Sequence, residues 1–247
     1  MLAFAAEHRF VVDAQVAGLL RCSVRAAGER LRELAVDGYL ETGRTWEAQP
    51  AWFQVTRPGL KAAGSDLSPP RAIDPATYAH DLGVGWLMVA AERGRFGELR
   101  DIVSERRMRS HDGRRDRSGR YGVRLGGPGP GGRERLHYPD LVVVTASGHR
   151  VAFELERTPK GARRRDEILG AYGADRRIDA VVYLCDSPAV GRTISGAARR
   201  LGLSDRITVQ RVDWGRSPPP MGAAGRRRDR SPRPRRTSRH TEIATER

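Results

Sequence analysis

Apolar residues recur along this chain at two spacings, and the switches between them mark out its elements. Val16, Ala17, Leu19 and Leu20 follow Asp13, and Ala27, Leu31 and Leu34 follow Ser23. Each set has the three- and four-residue spacing of an amphipathic helix behind a side chain able to cap it. Gly38-Tyr39-Leu40 ends the second helix and starts a strand, 52–56 makes a returning strand, and 58–61 begins a short helix. Residues 65–75 contain Ser-Pro-Pro and Asp-Pro, show no period and read as a linker. From Tyr78 the pattern resumes: Leu82, Val84, Trp86, Leu87, Val89 and Ala90 predict a helix with a broad apolar side, and 99–108 is strand-like at Ile102-Val103. Tyr138-Pro139-Asp140-Leu-Val-Val-Val and Val151-Ala-Phe153-Glu154-Leu155-Glu156 predict two strands joined through Ala-Ser-Gly-His as a hairpin. Then come a helix over 162–177 with Ile168, Leu169 and Tyr172 inward, a buried strand at 180–185, a helix at 190–201 and a strand at 207–212.

From residue 78 the predicted order is helix, strand, hairpin, helix, strand, helix, strand. That is an α/β arrangement, a mixed sheet flanked by helices. The first 64 residues, two helices across a turn followed by a strand hairpin, resemble a winged helix. In a DNA-reading winged helix the helix after Ser23 enters the major groove, which makes Ser23, Arg25, Glu29 and Arg32 candidate DNA contacts, and Arg163 and Arg164, outward on the 162–177 helix, are two more. The chain thus divides into a unit at 1–64, a linker at 65–77, the α/β unit at 78–215 and an Arg-rich tail at 216–247, expected to be disordered. Residues 111–137, rich in Gly, Arg and Pro, are expected to form a mobile loop too polar to join a core. No Gly-Lys-Ser/Thr follows those glycines, so they do not make a phosphate loop.

Charge narrows the choice of partner. The chain of 247 residues carries 45 basic against 30 acidic residues, a net charge of +15. All of the basic residues except Lys61 and Lys160 are Arg, and ten lie in the tail beside three acids. A polyanion is the expected partner, and nucleic acid is the commonest; double-stranded DNA is favoured here. Arginine richness alone also fits a GC-rich genome, which keeps a protein-interaction adaptor open as a weaker reading. The two cysteines, Cys22 and Cys185, suggest neither a disulfide framework nor a metal site. No signal peptide and no membrane span are expected, so a cytoplasmic location is the natural expectation.

The chemistry concentrates on the predicted hairpin. Asp140 opens one strand, and Glu154 and Glu156, two apart on the next, share one face of the sheet. Buried carboxylates are costly unless a cation or proton joins them. Mg²⁺, which takes oxygen ligands, suits Asp140 and Glu154, with Lys160 just beyond. The histidines, at 8, 80, 111, 137, 149 and 240, are never within two residues of one another. A Tyr-nucleophile relaxase with a His-bound metal is therefore disfavoured. His80 is expected at a helix start or packed in the core.

The helix–strand–hairpin order, with Pro139-Asp140 opening the second strand and an acidic pair on the third, resembles the PD-(D/E)XK nuclease fold. More narrowly, the chain resembles the replication-relaxation family of plasmids and integrated elements. The likeness rests on the winged-helix start, His80-Asp-Leu-Gly-Val, Ser104-Glu105-Arg106, Tyr138-Pro139-Asp140, 153–160, Ile168-Leu169-Gly-Ala-Tyr172 and Asp179-Ala-Val-Val-Tyr183-Leu. It implies a DNA-binding protein of replication, relaxation or mobilisation, working with other replication or transfer proteins. It also implies Asp140 and Glu154 as the nuclease acids and Glu105 as an upstream acid. The family's lysine two positions after Glu154 is here Glu156, which leaves Lys160 to swing back. Two outcomes follow: a Mg²⁺-dependent nickase using Asp140, Glu154, Glu156 and Lys160, or a non-catalytic, degenerate nuclease fold kept as a DNA clamp. In the clamp, Lys160, backbone N–H groups and Arg163 or Arg164 would satisfy the carboxylates. DNA binding draws on charge, fold and resemblance together, whereas cleavage hangs on one displaced lysine.

Overall fold

The computed structural model describes residues 1–113, 121–132 and 134–212. The tail at 216–247, with the disorder expected of it, lies outside the described residues. The first part of the chain runs α1 (Leu2–Glu7), β1 (Val11–Val12), α2 (Asp13–Leu20), α3 (Val24–Val36), β2 (Leu40–Gly43), β3 (Trp52–Val55) and α4 (Arg57–Ala62). The three strands form an antiparallel sheet in the order β1-β3-β2. Ser23 caps α3 as expected, its Oγ accepting from Ala26 N–H at 3.1 Å. Asp13 does not cap α2; it is the first helical residue, and Gln15 Oε1 instead accepts from Val12 N–H at 3.0 Å. Two elements, α1 and β1, carry too short an apolar pattern to be read from sequence. Burial of Phe4, Ala5, Val11 and Val12 by neighbours distant in the chain makes them.

The second part runs α5 (Tyr78–Glu92), β4 (Leu99–Ser104), α6 (Glu105–Asp112), β5 (Val123–Pro128), β6 (Glu134–His137), β7 (Leu141–Thr145), β8 (Arg150–Glu156), α7 (Ala162–Ala174), β9 (Ala180–Cys185), α8 (Pro188–Arg200) and β10 (Ile207–Arg211). Five strands make one mixed sheet, β10-β9-β8-β7-β4. β7 and β8 pair antiparallel as the predicted hairpin, with Leu141 opposite Phe153, while β8, β9 and β10 run parallel. Of residues 111–137, expected as one polar mobile loop, 114–120 and 133 lie outside the described residues; the others carry the end of α6 and a separate two-stranded sheet, β5-β6. The physical reason is a few apolar anchors among many polar residues. Val123 is fully buried with Met108 and Tyr138, and the glycines supply the left-handed turn at 131–132.

The sheet separates two apolar layers. On one side Leu141, Val143, Phe153 and Leu155 pack against α5, and the same cluster continues through Leu87 and Val89 into Val16, Leu31 and Phe4 of the N-terminal helices. On the other side Val142, Ala152, Val181 and Tyr183 pack against Leu169 and Tyr172 of α7 and Ile194 of α8. Helix α5 is the joint between the two parts. A methyl group at Gly83 would sit 2.4 Å from Leu155 Cδ2, and one at Gly85 2.4 Å from Gln15 Nε2, so the helix backbone touches both neighbours. Gln15 Nε2 also donates to Leu82 O at 2.8 Å. Arg106 ties α6 to the N-terminal part, donating to Ala6 O at 2.5 Å, His8 O at 2.9 Å and Ser68 O at 2.5 Å. Among the described residues no helix is long and apolar enough to cross a membrane.

Candidate functional site around the acidic hairpin

Alternation along β8 sends Phe153 and Leu155 toward α5 and leaves Glu154 and Glu156 on the α7 side of the sheet. Asp140 stands at the entry to β7, its N–H bonded to Phe153 O at 3.1 Å. All three carboxylates are buried: Asp140 is 7%, Glu154 4% and Glu156 6% exposed. Each must therefore be compensated within the protein or by a ligand.

The compensation is separate for each acid. Asp140 Oδ1 lies 3.2 Å from His80 Nε2, and its Oδ2 accepts the Leu155 N–H at 2.7 Å. Glu154 Oε1 accepts from His137 Nε2 at 2.6 Å and from the Tyr172 hydroxyl. Glu156 Oε2 is bonded to Lys160 Nζ, the lysine having folded back over the strand end. His80, expected at a helix start or packed in the core, is the third residue of α5 and holds the Pro-Asp acid. His137 ends β6, and that hairpin exists only in the folded chain. Neither histidine could be assigned to an acid from spacing. The one available signal was His137 preceding Tyr138-Pro139-Asp140 in sequence.

These arrangements set the charges. Burial opposes protonation of His80, yet its hydrogen bond to Asp140 and the charges of Asp140, Asp81 and Glu105 raise its pKa to about 9. It is an imidazolium at neutral pH. Burial alone would raise the pKa of Glu154, but His137, Tyr172 and Lys160 outweigh it and hold the group ionised below its ordinary value. Glu156 is raised, first by burial and then by the charges of Glu154 and Asp140, against the pull of Lys160. Tyr172 is driven well above 10 by burial and by Glu154, and it is 1% exposed. A buried phenol acting as donor to a carboxylate is poorly placed as a nucleophile.

The remaining predicted residues divide. Glu105, first residue of α6, accepts from Arg109 Nε at 2.6 Å, and Arg109 in turn lies over the Tyr138 ring at 4.4 Å. Glu105 and His80 line one cavity of about 510 Å³, between α5, α6, the 67–71 segment and Glu7–Arg9. Arg163 and Arg164, expected among the partners of the buried acids, turn instead to Glu167 one helical turn on, at 3.5 and 3.6 Å. They project from the exposed start of α7, while the acids are met by His80, His137, Tyr172, Lys160 and the Leu155 N–H. In α3, Arg25, Glu29 and Arg32 are exposed, Arg25 Nε lying 2.8 Å from Glu29 Oε1, and the Ser23 hydroxyl is spent on its cap.

With both oxygens of Asp140 and one of Glu154 engaged by protein donors, the donor set as arranged does not form a shared magnesium site. Among the described residues no three His, Cys, Asp or Glu side chains are grouped to hold a metal ion. No protein-family model, curated protein or solved structure matches the chain.

Proposed function

We propose that this chain is a DNA-binding protein of plasmid or mobile-element replication, relaxation or mobilisation. In this reading residues 1–64 are a winged helix that engages duplex DNA. The five-stranded sheet is a PD-(D/E)XK nuclease-like fold serving as a clamp, and other replication or transfer proteins are its partners. The observation that carries the clamp reading is the private partner of each acid: His80 for Asp140, His137 and Tyr172 for Glu154, Lys160 for Glu156. Carboxylates neutralised in this way stabilise a fold without a metal. The nuclease-like reading is supported by chain order, since α5 is followed by β4, β7 and β8 as successive sheet neighbours, with Asp140 and Glu154 at one end. The winged-helix reading is supported by α2, the turn at Arg21-Cys22, the Ser23-capped α3 and the β2–β3 hairpin. The net charge of +15 supports the polyanionic partner.

Titration of the full chain onto labelled duplex DNA across a salt series tests this reading. Binding that weakens steeply with salt is expected, with a shallower slope after removal of 216–247. Glu154→Gln is expected to leave the affinity unchanged. No binding near physiological salt would instead favour a protein-interaction adaptor.

One observation favours the nickase alternative. Lys160 does return to the strand end, placing its ammonium on Glu156 and close enough to lower the Glu154 pKa. Nicking of supercoiled plasmid in Mg²⁺ or Mn²⁺ that disappears in Asp140→Ala would establish that alternative over the clamp.

A further inference from the structure

Three arginines crowd one carboxylate beside an open groove of about 670 Å³ between the β5–β6 hairpin and the start of α7. Arg135 Nη2 donates to Glu167 Oε2 at 2.9 Å, while Arg163 Nε stands 3.5 Å from Oε1 and Arg164 Nη1 3.6 Å from Oε2. The last two distances are too long for good hydrogen bonds. The Arg163 side chain is 92% exposed. One carboxylate against three guanidinium groups leaves an excess of positive charge, and among the described residues the only other acceptor they meet is Gly126 O, 3.4 Å from Arg135 Nη1. Guanidinium forks match phosphate oxygens, and the rest of the lining is small, including Gly129, Gly161 and Ala162, so an extended backbone can approach. Arg135 and His137 stand two apart on β6, so the strand that reaches the groove also reaches Glu154.

Resting on the DNA-binding reading above, we propose that this groove is a contact site for the phosphodiester backbone of duplex DNA. Arg135, Arg163 and Arg164 are the phosphate donors, and Glu167 is the internal anion that keeps them together until phosphate replaces it. The hairpin at 123–137 then acts as an arm beside the acidic centre. This assignment is independent of whether the centre cuts.

Fluorescence anisotropy of the full chain on a short labelled duplex, over a salt series, tests it. Each phosphate contact adds about 0.9 to the slope of log affinity against log salt, so the triple variant R135A/R163A/R164A is expected to lose about 2 to 3. Glu167→Gln is expected to tighten binding several-fold at low salt, a gain that misfolding cannot produce. If the wild-type chain does not bind, the DNA-binding reading itself falls. If it binds and the triple variant keeps the full slope, the groove assignment alone is overturned. Failure of Glu167→Gln to tighten binding also overturns the groove alone, even where the triple variant does not fold.

Discussion

Two histidine–carboxylate pairs sit at the acidic end of the central sheet, and they differ in what surrounds them. His137 and Glu154 are enclosed with Tyr172 between β6, β8 and α7, where the His137 side chain is 14% and that of Glu154 5% exposed. His80, on α5, meets Asp140 at the entry to β7, and the His80 side chain is 34% exposed beside the cavity it shares with Glu105. The enclosed pair is largely withdrawn from solvent and holds β6 to β8. The open pair keeps a charged imidazolium facing a space where a ligand can meet it. The same kind of pair, a histidine on a carboxylate, thus serves as a structural clasp in one place and as an accessible cation in the other.

The largest expected effect comes from breaking the enclosed pair. Glu154→Ala leaves His137 and Tyr172 facing an emptied site and should cost about 3–5 kcal/mol of unfolding free energy, read by denaturant titration. A loss below about 1 kcal/mol would mean that the network contributes little, and the contrast with the open pair would fail. Tyr172→Phe removes one donor and leaves Glu154 with His137, at an expected cost of about 1–3 kcal/mol.

The open pair should instead reveal itself through pH. The folded-state pKa of His80, about 9, lies above its ordinary 6.5. Its stabilisation is therefore complete below about pH 6.5 and is lost as pH rises through 9. Buried His8 behaves oppositely. Burial, helped by Arg106, lowers its pKa to about 3, so stability is lost as pH falls from 6.5 toward 3. Melting temperature should decline on both sides, and His80→Gln should remove the alkaline decline while leaving the acid one. An alkaline limb unchanged in that variant would detach His80 from Asp140. Smaller still, Asp140→Asn should bring the His80 titration down toward 6.5, followed by its ring proton resonances. Glu105→Ala, which removes an exposed pair with Arg109, should change stability by no more than about 0.5 kcal/mol.

Much of the frame was legible because its periods are strong. The β7–β8 hairpin, α3 behind Ser23, α7 and β9 each carry a long apolar pattern bounded by a cap or turn, and each forms where that pattern predicts. The β5–β6 hairpin was hidden because only Val123 of it is fully buried, Leu125 and Leu136 packing partly exposed beside it, with Met108 and Tyr138 supplied from elsewhere. The site was half legible. Asp140, Glu154, Glu156 and Lys160 stood in the sequence as a group, and Lys160 does come back onto Glu156. Arg163 and Arg164 were read as partners of the acids, but Glu167, four and three residues along the same helix, takes them instead.

By itself the sequence determined the alternation that buries Glu154 and Glu156 on one side of β8, and the net charge of +15, carried almost wholly by arginine. Both are local or additive properties: a period of two along a strand, and a sum over side chains. Which donor meets which acid was decided only by the tertiary structure. His80 is 60 residues from Asp140 along the chain and His137 is 17 from Glu154. Buried carboxylates take whichever donors the packing of α5 and the β5–β6 hairpin delivers, and no spacing in the sequence encodes that delivery.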